Sequence, residues 1–164
     1  MWVRTASERD MPAVQTLLRE TWHATYDAIY GVERVNQITA DWHSLESLKA
    51  RLLKPHSEFI LCEGENGICG MAFASQSDPD FVMLYQLYVL PQSQGKGVGS
   101  LLLDEINAAF PDGKALRLEV EPANIGAMRF YEAKGFKQIA STENCGKDQS
   151  GIAAVILARP IHPS

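Results

Sequence analysis

The sequence has 164 residues, of which 46% are hydrophobic and 21% are charged, an ordinary balance for a soluble globular protein. This length predicts a single domain over residues 1–164. The net charge of −5 argues against a general nucleic-acid binder, although it leaves a local basic pocket open.

The apolar runs and the cysteines indicate the cellular compartment of the protein. The longest apolar runs, at 101–103 and 152–158, fall far short of the roughly 20 residues that a membrane helix needs. Residues 1–4 are followed by charge, so no secretory signal is expected. Three cysteines without CxxC spacing are typical of free thiols in a reducing compartment. We therefore expect a cytoplasmic protein that does not contact a membrane.

Helical patterns dominate the first third of the chain, after a strand-compatible segment at 2–5. Ser7, with Pro12 in the first turn, predicts the start of a helix. An apolar stripe continues this helix at Val14, Leu17, Leu18 and Trp22. A second helix is predicted at about 44–53, whereas residues 25–36 have no clean apolar period and receive no assignment.

Strand patterns come next. Residues 59–62 and 68–75 flank the pair Asn66 and Gly67, which is a strong hairpin signal. Residues 81–90 then form a long run rich in Val, Leu and Tyr, the composition of a strand.

The last third of the chain alternates helices and strands. Glycines lead into a predicted helix at 97–110, and residues 116–120 alternate apolar and charged side chains as a strand with two unlike faces does. A helix at 124–134 and a closing hairpin of 136–142 with 152–158 complete the chain. Strands with interposed helices predict one mixed α/β layer fold.

The turn before the third predicted helix is the most informative segment, because Gly95, Gly97 and Gly99 alternate there. Glycines let the backbone approach a ligand, and a helix N-terminus presents free N–H groups to an anion. Lys96 would add a cation at the rim, so the turn suits a diphosphate. Ser100 occupies the third glycine position of a dinucleotide fingerprint and disfavours that class. Glycines that only permit close strand–helix packing are the alternative.

Two motifs together carry a family resemblance. Residues 87–91, followed by Gln94, Gly97 and Gly99, resemble the pyrophosphate-binding motif of the GNAT superfamily, the acetyl-CoA-dependent N-acetyltransferases. Residues 118–136 resemble the "LEV…N…A…FY…GF" strand–helix–strand segment of the same family. The two motifs occur in the family's order and separation.

The resemblance, which covers about residues 59–137, implies a GNAT-like α/β fold. Its central mixed, mostly antiparallel sheet has six to seven strands flanked by about four helices, and a splayed strand pair holds the co-substrate. The implied co-substrate is acetyl-CoA, and no metal is expected because the four histidines lack metal-ligand spacing. The implied binding residues are Leu87, Tyr88, Val89, Gln94, Gly95, Lys96, Gly97, Val98, Gly99, Ser100, Asn124 and Tyr131.

Acyl transfer to an amine sets requirements that two residues match. Deprotonating an alkylammonium at pH 7 costs roughly 4–5 kcal/mol, and a nearby carboxylate can accept the proton. Glu119 lies on the strand beside the implied gap, on the face opposite Leu118 and Val120, and is the predicted base. Tyr131 is the predicted acid for the departing thiolate. This pair resembles the one in the ribosomal-protein alanine N-acetyltransferase branch.

Simpler interpretations of both residues stay open. Glu119 could be a solvated carboxylate or pair with Arg117 or Lys137, and Tyr131 could be a core aromatic residue. Many relatives carry a carboxylate where this chain has Met83. The base is therefore Glu119, a water relay or a group in the amine-binding region.

The segment 22–42 is implied to line the acceptor side, and it combines aromatic rings with carboxylates: Trp22, Tyr26, Tyr30 and Trp42 with Asp27, Glu33 and Asp41. Such a wall suits a cationic amine, either a small molecule or a protein N-terminus. A homodimer is left open. Two other hypotheses are a non-catalytic CoA-binding or sensing module of the same fold and a different nucleotide enzyme.

Overall fold

The structure, a computed structural model, describes residues 1–143 and 153–161. Within these residues seven strands form one sheet: β1 (Trp2–Thr5), β2 (Ser57–Gly64), β3 (Gly67–Asp78), β4 (Phe81–Val89), β5 (Ala115–Val120), β6 (Lys137–Thr142) and β7 (Ala154–Pro160). The same residues form five α-helices: α1 (Met11–Tyr30), α2 (Val32–Trp42), α3 (Leu45–Leu52), α4 (Val98–Ala109) and α5 (Ile125–Ala133). The predicted loop between β6 and β7 lies mostly outside the described residues.

The order of the strands is β1-β2-β3-β4-β5-β7-β6, and among these pairs only β4 and β5 run parallel. The β4–β5 register covers Phe81–Leu84 against Ala115–Leu118 and then stops. The later residues of β4 stay paired with β3, and Glu119 and Val120 stay paired with β7. A gap therefore opens between the two central strands, as the family resemblance implies.

A β-bulge in β4 coincides with the start of this gap. Leu84 pairs with Ala74 and Gln86 pairs with Phe73, so Tyr85 is an extra residue in the ladder. A bulge bends its strand and shifts the alternation of side chains by one residue. Gln86 consequently faces α3, where its side chain meets Arg51.

Apolar clusters cover both faces of the sheet. The cluster on one face includes Leu102, Leu103 and Ile106 of α4, and the cluster on the other includes Leu18 and Leu48 of α1 and α3. Full burial of each such side chain contributes about 1.5–3 kcal/mol relative to exposure. These two layers hold the sheet rigid on either side of the β4–β5 gap.

The unassigned segment 25–36 turns out to be helical. It forms the end of α1, a break at Gly31 with φ of +86°, and the start of α2. Val35, Ile38 and Thr39 are the buried residues of α2, and its apolar side chains pack on α1 instead of the sheet. The apolar residues of α2 recur at helical spacing, but the segment 25–36 crosses the break at Gly31 and mixes the ends of two helices, so it shows no single period.

The predicted helix start at Ser7 is a 3-10 turn, Glu8–Asp10, that leads into α1. The Asp10 carboxylate accepts hydrogen bonds from the Ser7 N–H and hydroxyl and from both terminal nitrogens of Arg4. These bonds hold the pKa of Asp10 well below its usual value, mainly through Arg4. Because Arg4 also binds Glu63 at 2.8 Å, the start of α1 is fixed to the β1–β2 edge.

The mixed, mostly antiparallel fold predicted from the resemblance is confirmed. The described strands reach the upper end of the predicted range, and α2 is a helix beyond the expected four or so. No helix among residues 1–143 and 153–161 combines the length and hydropathy required to span a bilayer.

Candidate active site

A cavity of about 1020 Å³ occupies the region where β4 and β5 diverge. Single-ligand pockets usually measure about 300–1,000 Å³, so this cavity is large enough for two reactants. One side is formed by the glycine turn, α4 and α5. The other side is formed by α1, the end of α2, and α3.

The glycine turn is open and in a backbone conformation that favours glycine. Gly95 and Gly97 have φ values of +79° and +85°, and a Cβ atom built on either would meet nothing within 4 Å. The first helical hydrogen bond runs from the Leu101 N–H to the Gly97 carbonyl, 3.0 Å. The amides of residues 98–100 therefore have no acceptor inside α4, and they carry the positive end of its dipole.

Gly99 has a different role. A Cβ atom there would lie 3.2 Å from the Phe130 ring, closer than side chains normally pack. Gly99 thus permits α4 to pack against α5, whereas Gly95 and Gly97 shape the turn. Close helix packing explains Gly99, whereas a diphosphate at Gly95 and Gly97 stays a prediction. The turn is further fixed by Gln94, whose side-chain amide donates to the Val89 carbonyl over 3.1 Å.

The cavity brings together all but one of the residues predicted to bind the co-substrate. Lys96 is exposed and does not line it. The remaining residues of that prediction line the cavity: Leu87, Tyr88, Val89, Gln94, Gly95, Gly97, Val98, Gly99, Ser100, Asn124 and Tyr131.

Asn124 caps one helix and contacts another. Its side-chain oxygen accepts from the Ala127 N–H at 3.2 Å and caps α5, and its amide nitrogen donates to the Tyr26 hydroxyl at 3.3 Å. These bonds connect the start of α5 to α1 across the cavity.

Tyr131 is buried at the inner end of the cavity. Its ring packs edge-on against Phe130 and Phe136, with centroids 5.3 Å away in each case. Burial, with a smaller effect of Tyr26, raises the pKa of Tyr131 well above its usual value. The phenol therefore keeps its proton at neutral pH.

Two carboxylates at the end of β5 face the cavity. Glu119 is half-buried and lies opposite the buried Leu118 and Val120, as predicted. Glu121 was not predicted; it accepts a hydrogen bond from the Tyr30 hydroxyl and lies 3.2 Å from the Ala123 N–H. Its position two residues after Glu119, on the same strand face, was the signal available in the sequence.

Aromatic rings of α1 line the acceptor side. The Trp22 and Tyr26 centroids are 4.5 Å apart, those of Tyr26 and Tyr30 are 5.8 Å apart, and Trp42 meets Trp22 edge-on. Asp41 lines the cavity. The other two predicted acids, Glu33 and Asp27, do not line the cavity, and Asp27 pairs with His23 at 2.6 Å.

A buried polar chain was missed by the sequence analysis. Arg51 of α3 donates to the Gln86 side-chain oxygen at 3.0 Å and to the Trp42 carbonyl at 2.6 Å. The Gln86 amide nitrogen lies 3.4 Å from His43 Nδ1. The sequence offers no signal for this hydrogen-bond network, because its members are separated by up to 43 positions and meet only through the bulge in β4.

This combination of a splayed parallel pair and an open glycine turn defines the class. A family model described as "Acetyltransferase (GNAT) domain" matches residues 25–154. The chain therefore belongs to the GNAT acetyltransferase family, and it is an acyltransferase.

Individual relatives agree with the family. The chain is 28% identical over 147 residues to a spermidine N(1)-acetyltransferase of Thermoplasma acidophilum, covering 82% of this chain and 87% of that protein. It is 29% identical over 121 residues to a mycothiol acetyltransferase of Gordonia bronchialis, covering 65% of this chain but only 39% of that protein.

Solved structures share the fold. The PaiA N-acetyltransferase of Thermoplasma acidophilum, in complex with coenzyme A, superposes with a TM-score of 0.85 at 22% identity, covering 97% of this chain and 98% of that one. The ribosomal-protein-S18-alanine N-acetyltransferase of Escherichia coli gives a TM-score of 0.71 at 19% identity, over 99% and 95% of the chains.

Proposed function

We propose that the protein transfers the acetyl group of acetyl-CoA directly to a primary amine, either of a small molecule or of a protein N-terminus. The observation that carries this proposal is a single cavity that joins the open glycine turn to Tyr131, Glu119 and the aromatic wall. Reactants bound at the two ends would meet in the β4–β5 gap, and holding two reactants together lowers the barrier to their reaction.

The residues on the turn side fit acetyl-CoA. The amides of 95–100 would bind the diphosphate, because the turn is open and the first-turn amides of α4 lack helical acceptors. Leu87 and Val89 would hold the pantetheine arm and acetyl carbonyl through their backbone, on the edge of β4 that β5 has left. The thioester supplies an activated acetyl group and a thiolate leaving group.

Proton transfer is assigned to Glu119 and Tyr131. Glu119 would accept the proton of the acceptor ammonium, directly or through water, and leave a neutral amine able to attack. Tyr131 would donate its phenolic proton to the departing thiolate, since burial keeps this phenol protonated. Each group would contribute about 10²–10⁴-fold to the rate.

Release of free thiol from acetyl-CoA over a panel of amines tests this function, with the acetylated product identified by mass spectrometry. We expect turnover with at least one primary amine, and a decrease in kcat of about 10²–10⁴-fold in Tyr131→Phe because the phenylalanine lacks the proton. Calorimetry with CoA and thermal melting serve as controls and should match the wild type.

Two results would count against the proposal. Full activity of Tyr131→Phe would remove the acid assignment. Binding of CoA without turnover of any amine would favour the non-catalytic CoA-binding module.

A further inference from the structure

Arg51 fixes the orientation of a hydrogen-bond chain on the acceptor side. A guanidinium can only donate, so the Gln86 atom that lies 3.0 Å from Arg51 is the amide oxygen. The Gln86 NH₂ group then faces His43 Nδ1, 3.4 Å away, and donates to it. Nδ1 is therefore an acceptor, and the proton of a neutral His43 ring lies on Nε2.

His43 consequently carries a buried N–H donor close to Arg51. Burial and the nearby Arg51 charge lower the pKa of His43 to about 3, so the ring is neutral at neutral pH. The ring is only 3% exposed, and its Nε2–H finds no acceptor among the described residues.

Trp22 adds a second donor of the same kind. Its indole N–H is buried and has no acceptor in the described part of the chain, the residue is 5% exposed, and its ring lies 5.9 Å from that of His43. A buried donor left without an acceptor costs about 1–3 kcal/mol. Both nitrogen atoms are themselves buried, so they identify a polar part of the wall that Arg51 also lines.

The charge of Arg51 indicates that this part of the cavity binds an anion. Both hydrogen-bond partners of the guanidinium are neutral, and no carboxylate of the described residues lies within 4 Å of it. A cation removed from water is normally paired with an anion. Arg51 uses two N–H groups out of five, so donors remain for a carboxylate.

The opposite end of the acceptor region carries acids. Gln86, which binds Arg51, pairs with β3, whereas Glu119 lies on β5 at the other side of β4, and both side chains face the α1 side of the sheet. Glu121 and Asp41 also line the cavity, as does a second cation, Lys54, which lies over the Tyr85 ring at 4.6 Å. The cavity thus offers carboxylates for an amine and a donor-rich cationic wall for an anion.

We propose that the acceptor is a small amine that also carries a carboxylate, as free amino acids and short peptides do. The carboxylate binds Arg51, and the amine lies at Glu119. This inference rests on the proposed acetyl transfer. A polyamine such as spermidine has no group that accepts hydrogen bonds from the Arg51 wall.

Matched substrate pairs test the carboxylate requirement. Lysine and cadaverine share one diamine skeleton and differ in a carboxylate, and so do ornithine and putrescine; spermidine is the polyamine arm. Glycylglycine and glycylglycinamide distinguish a peptide carboxylate from that of a free amino acid. Within each pair that is acetylated, we expect kcat/KM to be about 10- to 100-fold higher for the member that carries the carboxylate.

Variants of α3 assign that preference to Arg51. We expect Arg51→Met to lower kcat/KM for lysine by about 10- to 100-fold more than kcat/KM for cadaverine, because cadaverine has no carboxylate to lose. Arg51→Lys keeps the charge and should fall between. Lys49→Met removes a cation of the same helix that pairs with Glu8 at 3.5 Å outside this cavity. It should leave kcat/KM unchanged for both substrates.

The outcomes separate this inference from the proposed function. Equal turnover within each pair, or an equal loss for both members in Arg51→Met, would overturn the carboxylate site while acetyl transfer stands. If no amine is acetylated, the proposed function fails, and calorimetry in the presence of CoA still tests the site. Lysine binding that exceeds cadaverine binding and disappears in Arg51→Met would support it, and equal binding of the two would overturn it.

Discussion

Gly97 illustrates how much of the site depends on single backbone conformations. Its φ of +85° directs the chain into α4, and the absence of a side chain leaves the space above the turn open. For other residues the left-handed conformation costs roughly 1–2 kcal/mol. A substitution there changes both the stability of the turn and the room available to a diphosphate.

Gly97→Ala separates these two effects when it is compared with Gly67→Ala. Gly67, in the β2–β3 hairpin, also has a positive φ, of +103°, and open surroundings, but it does not line the cavity. We expect both variants to lose roughly 1–2 kcal/mol of unfolding free energy. Calorimetry should show about tenfold weaker CoA binding for Gly97→Ala alone, a loss of about 1.4 kcal/mol. Equal CoA affinity in the two variants would contradict the role of the turn.

Glu119→Gln tests the base through the pH dependence of the rate. We expect kcat/KM at pH 7 to fall by about 10²–10⁴-fold and its pH dependence to change, because the amide cannot accept the proton. Glu65→Gln removes an exposed carboxylate of the β2–β3 turn and should keep the wild-type profile. An unchanged profile in Glu119→Gln would transfer the role of base to another group.

The two motifs, each contiguous in the chain, and the family resemblance that they carry predicted the residues of the turn and of the LEV segment that line the cavity. The Arg51–Gln86–His43 contacts were not predictable in this way. They depend on the bulge at Tyr85, which turns Gln86 toward α3, and no short pattern around Tyr85 indicates a bulge.

Among the elements, α1 is fixed at its start by an ion pair with a predictable pH response. The native pKa of Asp10 lies below its unfolded value of about 3.9. Its charged form therefore stabilises the fold above pH 4, and that contribution is lost as the pH falls through the native pKa.

Asp10→Asn keeps the size of the side chain but removes its charge. We expect a loss of about 1.5–3 kcal/mol of unfolding free energy at pH 7, measured by urea denaturation, and a smaller difference from the wild type as the pH falls below 4. Asp112→Asn, in an exposed turn, is the control. A difference that stays constant down to pH 2 would contradict the assignment to the Asp10 charge.

Elements with a wide apolar stripe or a turn signal were predicted, and α2 was not. Its apolar residues recur at helical spacing, but the break at Gly31 divides the segment 25–36 between the end of α1 and the start of α2, so no single period covers it. The β4–β5 gap is a property of pairing: both strands have ordinary strand sequences, and only their register shows where they part.

At the scale of the whole molecule, the net charge of −5 hides a division inside the cavity. Glu119 and Glu121 lie at the end of β5, whereas Arg51 and Lys54 lie on the α3 side, and the third carboxylate of the cavity, Asp41, belongs to α2. The composition excluded a general polyanion partner, but it could not predict this local division, because the charges come from elements far apart in sequence. The division connects the proposed acetyl transfer to an acceptor that bears both signs of charge.

A crystal structure of the protein with CoA and lysine shows whether the glycine turn and the β4–β5 gap hold the two reactants. We expect the diphosphate on the amides of 95–100, the sulfur in the β4–β5 gap beside Tyr131, and the lysine carboxylate on Arg51. A diphosphate bound elsewhere, with the glycine turn filled by protein side chains, would contradict it.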